Sequence, residues 1–348
     1  MKWGIMKRSY FNKAKADVDH QTDSAPFFIE KGVLSAGWSF KDTPEMRVEA
    51  IEKIQTFSDY RKFFDETSNK LGWNKKWNNQ SVHYLFDNLQ AGDFVWLKNK
   101  GTYWVTQVPQ DPKSMFKFDM SEQFMAADAV AHIGPLEWIE VGGEDTVPGS
   151  VTTAKGRLQA AMQRIDNGDE SIDFDNDVYT TTSLIAKSAI DKHNNISLIK
   201  SEISKTQIFN LTGAIGLEDL VAFWLYSEYG YVVIPSTNKI STELYEFVMV
   251  DARGRTGKKI YLQTKNGKVD LYTSDYKHLL RDGVNDEVWL VSRLGAIDGD
   301  STLHFVRLTH ETVERHDLKE LISFIFSKDN EAILPPLVQV WLDKFDWK

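Results

Sequence analysis

Residues Gln263, Thr264 and Lys265 end an apolar, strand-forming run and carry side chains suited to phosphate chemistry. Because side chains alternate along a strand, Gln263 and Lys265 are expected on one face, about 7 Å apart. A carboxylate from the preceding apolar run would face them. That carboxylate, the Gln263 amide oxygen and the Leu262 carbonyl would surround a hard divalent cation, with Lys265 beside an attacked phosphate.

Three acids of the preceding segment are candidates for this carboxylate. Glu246 is the first choice, because its interval to Gln263 leaves room for a strand, a turn and a returning strand. Asp251 stands where the turn begins and is expected to cap it. Glu243 is the remaining alternative.

The segments around these residues predict a mixed sheet flanked by helices, an α/β fold. Apolar runs at 247–250 and 260–262 predict two strands, and the Gly-containing turn 253–257 between them predicts a hairpin. A helix pattern and a strand precede the hairpin, and two further strands and two helices follow it. These segments are 216–220, 230–234, 287–292, 304–308, 318–326 and 334–345.

The order helix, strand, strand, strand, with Gln-x-Lys ending the last strand, resembles the PD-(D/E)XK nuclease core. The ending at 263–265 resembles that of the Mrr-type restriction endonucleases, in which glutamine replaces the second acid. The resemblance implies an endonuclease that depends on Mg²⁺ or Mn²⁺ and cuts double-stranded DNA. It makes Glu246, Gln263 and Lys265 catalytic, with Glu246, Gln263 and the Leu262 carbonyl on the metal, and matches Glu218 to the helix acid of the family.

This sequence departs from the family at the acid of the first hairpin strand. The family usually has aspartate there, whereas the first choice here is a glutamate with other acids nearby. The ligand therefore stays open among Glu243, Glu246 and Asp251.

Basic residues near the hairpin are candidates for DNA contacts. The net charge of the chain is -9, which argues against a protein that coats nucleic acid, but local basic groups decide phosphate binding. The candidates are Arg253, Arg255 and Lys258 in and beside the turn, and Lys268 after the second strand.

The chain up to about residue 165 is rich in tryptophan and in short strand patterns. The segment 91–108 alternates as two strands around an Asn-Lys-Gly turn, and further short strands are predicted at 129–133 and 136–141. Helical spacing occurs at 44–71 and 81–89. Many short strands with a few helices predict a small β-barrel of the α+β class.

This half resembles the PUA/EVE-like barrels found ahead of nuclease domains in modification-dependent restriction enzymes. The resemblance rests on Gly37-Trp38, Gly92-Asp93, Tyr103-Trp104, Glu137-Trp138 and Val147-Pro148-Gly149. It implies a pocket for an extruded base, with a modified cytosine as the expected base. The aromatic pocket candidates are Trp38, Trp96, Tyr103 and Trp104, and strand alternation prevents all four from lining one pocket.

An acidic segment separates the two halves. Acids dominate 166–177, so we expect a solvated linker over 166–178, between a modified-base-sensing domain at 1–165 and a nuclease domain at 179–348. The helix patterns within 179–210 either pack on the nuclease core or bridge the domains.

Composition narrows the class of protein. A hydrophobic fraction of 42% indicates a globular chain, and the lack of cysteine excludes disulfides and suits a reducing cytoplasm. Because no apolar run approaches about 20 residues, no membrane span is expected. The assembly, monomer or homodimer, stays open. Two other functions remain: a non-catalytic nucleic-acid-binding module and a structure-specific DNA repair nuclease.

Overall fold

The protein combines helices with several separate β-sheets. The computed structural model describes residues 6–14, 24–35, 37, 44–72, 84–157, 161–174, 177–193, 202–237, 245–302 and 304–348. Its contacts divide the chain into two units, residues 1–201 and 202–348. Each unit has its own sheets and helices, so the fold is mixed α and β.

Among its described residues, the first unit forms a five-stranded sheet and two three-stranded sheets. Its strands are β1 Met6–Lys7, β2 Ser9–Asn12, β3 Leu34–Ser35, β4 Phe94–Asn99, β5 Thr102–Gln107, β6 Phe116–Phe118, β7 Ala131–Ile133, β8 Ile139–Gly142, β9 Met162–Arg164, β10 Ser171–Phe174 and β11 Asp177–Thr180. The sheets have the orders β8-β5-β4-β2-β9, β3-β7-β6 and β1-β11-β10. The pairs β2–β4 and β1–β11 are parallel, and the other pairs in these sheets are antiparallel.

The first unit contains several helices, and local side chains cap the start of one of them. The helices are α1 Ser24–Lys31, α2 Arg47–Lys53, α3 Phe57–Lys70, α4 Glu122–Ala126, α5 Gly149–Arg157 and α6 Thr181–His193, with a π-helical turn at Tyr84–Asn88. Before α3, Thr56 Oγ1 accepts the Asp59 N–H at 3.2 Å, and the Asp59 carboxylate accepts the Thr56 N–H at 2.9 Å. The helix predicted over 81–89 lies partly outside the described residues.

The described strands of the first unit do not close into the predicted barrel. β8 and β9 end opposite edges of the five-stranded sheet, and β3, β7 and β6 form a sheet of their own. Alternation along a strand predicts which side chains share a face. Closure depends on strand tilt and register, which the pattern of short strands does not determine.

Both faces of the five-stranded sheet are buried. Leu97 pairs with Trp104, and both contact the main hydrophobic core of the unit. Side chains alternate along β4 and β5, so Trp96 and Tyr103 occupy the opposite face. Helix α6 packs on this sheet.

The acidic segment 166–177 belongs to the first unit and is not the predicted linker. Asp166 is buried and accepts the Ser9 N–H at 2.9 Å. Asp169 accepts the Thr182 N–H at 2.7 Å, in the first turn of α6. β10 lies in this segment and pairs with β11 inside the first unit. The division between the units falls later, after residue 201. Asp166 and Asp169, which belong to a run of acids that resembles a solvated linker in the sequence, instead accept from backbone N–H groups.

The second unit is built on a six-stranded sheet. Its strands are β12 Glu202–Ile203, β13 Tyr231–Val233, β14 Phe247–Asp251, β15 Lys259–Lys265, β16 Glu287–Ser292, β17 Phe305–Leu308, β18 Val313–His316 and β19 Asp346–Trp347. The order is β13-β14-β15-β16-β17-β18, in which β15–β16 is parallel and the other pairs are antiparallel. β12 pairs with β19 in a separate small sheet. The predicted hairpin is confirmed as β14–β15.

Helix α7, Ile208–Tyr229, covers one face of the six-stranded sheet. Its Trp224 ring lies 5.6 Å from the Trp289 ring and 5.1 Å from the Phe305 ring. The helix ends at Gly230, whose φ of 73° favours glycine. The segment Lys205–Tyr229 is long and apolar enough to span a membrane, but 67% of its apolar window is buried, as in the core helix of a soluble protein.

Residues 179–210 are divided between the units. Helix α6 lies in the first unit, and α7 begins in the second. The sequence left this placement open because apolar spacing marks a buried helix face without showing which sheet covers it.

The crossover from β15 to β16 covers the second face of the six-stranded sheet. It includes a 3₁₀ helix, Thr273–Leu279, and its side chains Leu271 and Tyr276 pack in one hydrophobic cluster with Val248 and Leu290 of the strands. The side chains that β15 directs to this face therefore lie beneath an ordered segment.

Helices α8, Leu318–Ile325, and α9, Pro336–Lys344, confirm the two predicted helices near the end of the chain. At the start of α8, Asp317 accepts the Lys319 N–H at 2.9 Å, and Glu320 accepts the Asp317 N–H at 3.3 Å. This reciprocal cap begins the helix. α9 begins with a proline, whose fixed φ suits the first helical turn.

A buried carboxylate, Glu287, joins several strands of the sheet. Its side chain is 2% exposed and accepts hydrogen bonds from Lys258 Nζ at 2.8 Å, Arg307 at 2.6 Å and the Tyr231 hydroxyl at 3.0 Å. Burial alone would raise the pKa of Glu287, but hydrogen bonds from Arg307 and Lys258 outweigh burial and lower the pKa below its usual value. Glu287 is therefore a charged group with matched partners.

We expect Glu287→Gln to destabilise the protein by roughly 3 kcal/mol at pH 7, because Lys258 and Arg307 would lose their buried counter-charge. The folded pKa of Glu287 is lowered, so its stabilisation is present above the unfolded pKa of about 4.3 and is lost as pH falls through the folded pKa. Urea unfolding at pH 7 and at acidic pH measures both effects.

Glu314→Gln is the matched control. Glu314 pairs with the same Arg307 at 2.9 Å, but its side chain is 45% exposed. Its replacement should change the unfolding free energy by less than about 1 kcal/mol. Equal losses in the two variants would contradict the role of the buried charge.

Candidate active site

The β14–β15 hairpin brings Glu246 beside Gln263 and Lys265. The Glu246 N–H donates to the Leu262 carbonyl at 2.8 Å, directly before β14 begins to pair with β15. On the other side of β15, Gln263 pairs in register with Leu290 of the parallel strand β16. The strand that carries Gln263 and Lys265 is therefore held along both edges.

One carboxylate oxygen of Glu246 accepts two side-chain hydrogen bonds. Gln263 Nε2 donates to Glu246 Oε1 at 3.2 Å, and Lys265 Nζ donates to the same oxygen at 3.1 Å. Gln263 is 1% exposed, whereas the side chains of Glu246 and Lys265 are 29% and 32% exposed. Solvent, or a ligand, can reach the acid and the lysine.

The amide oxygen of Gln263 is buried and has no hydrogen-bond partner among the described residues. Such an acceptor costs about 1–3 kcal/mol, and a bound cation would satisfy it. With the Glu246 carboxylate it provides hard oxygen ligands of the kind that Mg²⁺ or Mn²⁺ accepts. The Leu262 carbonyl accepts the Glu246 N–H and keeps a second lone pair. Because Gln263 Nε2 faces Glu246, a cation shared by the two side chains requires the amide to turn its oxygen towards the carboxylate. With that rotation these residues fit a divalent cation.

The described part of the chain contains no group of three or more His, Cys, Asp or Glu side chains that could hold a metal. A cation at Glu246 and Gln263 would therefore need further ligands from backbone carbonyls, water or substrate. Sites of this kind suit Mg²⁺, which usually keeps several waters and uses one or two carboxylates with substrate phosphates.

The Asp251 carboxylate accepts hydrogen bonds from residues of the β14–β15 turn. Its Oδ1 accepts the Gly254 N–H at 2.6 Å, and its Oδ2 accepts the Thr256 hydroxyl at 3.3 Å. The prediction that Asp251 caps the turn is confirmed. Glu246 is the acid in contact with the predicted glutamine and lysine, and Glu243 lies outside the described residues.

The helix that carries Glu218 packs on the opposite face of the sheet from the cluster. Leu262 pairs with Trp289, and the Trp289 ring contacts Trp224 of α7. Side chains alternate along β15, so Gln263 points to the other face. The place of Glu218 at the metal site therefore stays a prediction. The sequence pattern placed Glu218 on a helix without showing which face of the sheet that helix covers.

Polar residues that sequence analysis did not select hold the end of β15. The Arg293 N–H donates to the Lys265 carbonyl at 2.8 Å. The Arg293 guanidinium donates to the side-chain oxygens of Asn210 and Asn266, and Asn266 Nδ2 donates to the Phe209 carbonyl at 2.8 Å. In the sequence, only Asn266 could have been associated with the site, because it directly follows Lys265. The other partners are far apart along the chain.

Tyr276 is a further residue near Glu246, and the sequence identified it only as part of a helix. Burial, and then the charges of Asp275 and Glu246, raise the pKa of Tyr276. Its phenol therefore stays protonated near neutral pH and adds no negative charge beside Glu246.

Two of the four basic residues predicted to contact DNA have structural partners. Lys258 Nζ lies 2.8 Å from Glu287 in a largely buried pair. Arg253 donates to two carbonyl oxygens at the end of α7, at 3.1 and 3.4 Å. Lys258 is therefore held in a structural ion pair, whereas Arg253 is exposed and its predicted DNA contact stays a prediction. Arg255 and Lys268 are exposed.

The aromatic pocket candidates of the first unit have different environments. Trp96 and Tyr103 are fully buried, so they pack the core and do not line an open pocket. Trp104, on the opposite face, is half-buried, and its indole N–H has no partner among the described residues. Trp38 lies outside the described residues. Trp104 therefore remains the best-placed candidate within the described part of the unit.

Comparisons with protein-family models, curated proteins and solved structures found no match to this chain. Function is therefore inferred from the residues themselves, above all from Glu246, Gln263 and Lys265.

We expect Gln263→Met to leave the free energy of unfolding within about 1 kcal/mol of the parent value or to raise it, because methionine is similar in volume and removal of an unsatisfied acceptor offsets the lost hydrogen bond to Glu246. Denaturant unfolding measures the change. Leu262→Ala, at the adjacent buried position on the opposite face, should lose roughly 2–5 kcal/mol. A loss above about 2 kcal/mol for Gln263→Met would mean that the amide serves stability instead of a ligand.

Proposed function

We propose that this chain is a metal-dependent DNA endonuclease whose second unit hydrolyses phosphodiester bonds. The observation that carries the proposal is the contact of Glu246 with both Gln263 and Lys265, beside a buried amide oxygen without a partner. A carboxylate, an amide oxygen and an ammonium side by side suit cation-assisted phosphate chemistry. The order α7, β13, β14–β15 and parallel β16 supports a PD-(D/E)XK-like domain of the Mrr type.

Each residue of the cluster has a separate role in this proposal. Glu246 and Gln263 would hold Mg²⁺ or Mn²⁺, and the bound cation would supply Lewis-acid chemistry at the phosphate and the attacking water. The Lys265 ammonium offsets the negative charge that develops on the phosphate oxygens. Because that charge is greatest in the transition state, Lys265 contributes more to hydrolysis than to DNA affinity. Arg255 and Lys268 contact backbone phosphates of the duplex.

The first unit is proposed to read a modified base, with modified cytosine as the expected target, in defence of the cytoplasm against foreign DNA. Trp104 supports this role. A half-buried indole can stack on an extruded base. The proposed PUA/EVE-like character of this unit rests on the sequence resemblance.

A structure-specific DNA repair nuclease is the second candidate. It is favoured by the burial of Trp96 and Tyr103, which removes two of the four predicted walls of a base pocket. The two candidates share the cluster at Glu246 and differ in whether the first unit distinguishes modified from unmodified DNA.

Glu246→Gln should lower Mg²⁺-dependent cleavage of duplex DNA by roughly a hundredfold or more, because it removes the only charged ligand of the described cluster. Asp251→Asn should change cleavage by less than about threefold, because Asp251 caps a turn. Initial rates on one duplex, measured side by side with thermal melting of both variants, give the comparison. A greater loss of cleavage in a folded Asp251→Asn would move the ligand to Asp251.

Trp104→Phe should reduce the preference for cytosine-modified over unmodified duplex by roughly tenfold, because it keeps a ring for core packing and offers the base a smaller stacking surface. Cleavage of unmodified DNA should remain, since the cluster of the second unit is unchanged. Binding to matched duplexes measures the preference. Trp96→Phe is the control, because a core tryptophan should affect stability and leave the preference intact. A folded Trp104→Phe with the parent preference would reject this pocket.

A further inference from the structure

Lys265 and Gln263 donate to the same oxygen of Glu246, at 3.1 and 3.2 Å. A cation held by Glu246 and the Gln263 amide oxygen would meet the Lys265 ammonium at that carboxylate. Two positive groups this close repel each other strongly in a partly buried site. Lys265 therefore occupies the carboxylate that the cation needs.

The described cluster is electrically neutral in this arrangement. It contains one carboxylate and one ammonium, and the described residues contain no group of three or more His, Cys, Asp or Glu side chains for a metal. A dication gains little Coulomb energy from a site whose charges cancel. Binding of the cation alone must also separate the Glu246–Lys265 pair.

A DNA phosphate offers Lys265 another partner. The Lys265 side chain is 32% exposed, so its ammonium is accessible to a ligand. Its backbone is held by the Arg293 N–H, which donates to the Lys265 carbonyl at 2.8 Å, so a change of partner requires movement of the side chain alone. A phosphate that takes the ammonium leaves Glu246 with an uncompensated negative charge.

We infer that Lys265 couples DNA binding to cation binding: the phosphate draws Lys265 from Glu246 and thereby opens the carboxylate to the cation. The inference rests on the proposed function and concerns the regulation of the same site. Because binding free energies are reciprocal, the cation must tighten DNA binding by the same factor by which DNA tightens cation binding. The protein then holds its metal firmly only when its substrate is present.

Mn²⁺ affinity tests this coupling without relying on cleavage. Free Mn²⁺ is counted by electron paramagnetic resonance, with and without a saturating phosphorothioate duplex that keeps its negative charge and resists hydrolysis, and the Mn²⁺ bound by the duplex alone is subtracted. The parent should bind Mn²⁺ about tenfold more tightly, or more, in the presence of the duplex. Lys265→Met should bind Mn²⁺ more tightly than the parent without the duplex and lose most of the tightening.

Lys259→Met is the matched control, because it removes one exposed lysine at the far end of the same strand. It should keep the parent tightening. Lys265→Gln repeats the test with a polar side chain, and thermal melting confirms that each variant is folded.

The outcomes separate the coupling from the proposed nuclease function. Mn²⁺ and duplex binding with full tightening in both Lys265 variants would overturn the coupling and leave the nuclease proposal intact. The coupling would also be overturned if the Lys265 variants bind Mn²⁺ more tightly than the parent by the same factor with and without the duplex. Simple repulsion between the lysine and the cation would then explain the result. A parent protein that binds neither Mn²⁺ nor duplex would overturn both proposals.

Discussion

The shared carboxylate oxygen of Glu246 is the contact on which the candidate site depends. Gln263 and Lys265 reach it because β14 and β15 pair in one register, beginning at the bond from the Glu246 N–H to the Leu262 carbonyl. A slip of one residue would turn Gln263 and Lys265 towards α7 and move Leu262 out of the core. Pairing of β15 with β16, and the bond from the Arg293 N–H to the Lys265 carbonyl, oppose such a slip.

Buried polar groups of the same sheet have two different roles. Glu287 is surrounded by donors that match its charge, and this network joins β13, β16 and β17 to Lys258, which directly precedes β15. Gln263 is equally buried, but its amide oxygen has no partner among the described residues. Native structures satisfy nearly all buried polar atoms, so an exception that lies beside an accessible acid and lysine points to a ligand.

Local patterns predicted most elements of the second unit, although not β12, β18 or β19, and they predicted the central contact of its site. Two apolar runs around a glycine-containing turn predicted the β14–β15 hairpin, and alternation placed Gln263 and Lys265 on one face. The turn position of Asp251 predicted its capping role. Each of these inferences involves groups that are close in sequence or related by a simple strand period.

Partners distant in sequence were the ones that could not be predicted. Lys258 resembles a solvated turn lysine until β16 brings Glu287 to it, and Glu218 belongs to a predictable helix whose sheet face is decided by packing. In the first unit, alternation predicted strands at β4 and β5, but closure into a barrel depends on register among distant strands. Asp166 and Asp169 likewise accept from the backbone N–H groups of Ser9 and Thr182, which only the fold brings near.

A cleavage assay tests the central claim most directly. It compares the parent protein with Lys265→Ala on matched unmodified and cytosine-modified duplexes, with and without Mg²⁺. The account predicts that the parent cuts only when Mg²⁺ is present, and cuts the modified duplex in preference. Lys265→Ala should bind the duplex with nearly the parent affinity and fail to cut it, because the ammonium acts mainly on the transition state. Cleavage by Lys265→Ala at the parent rate and with the parent metal dependence, or no cleavage by the folded parent with Mg²⁺ or Mn²⁺, would contradict the account.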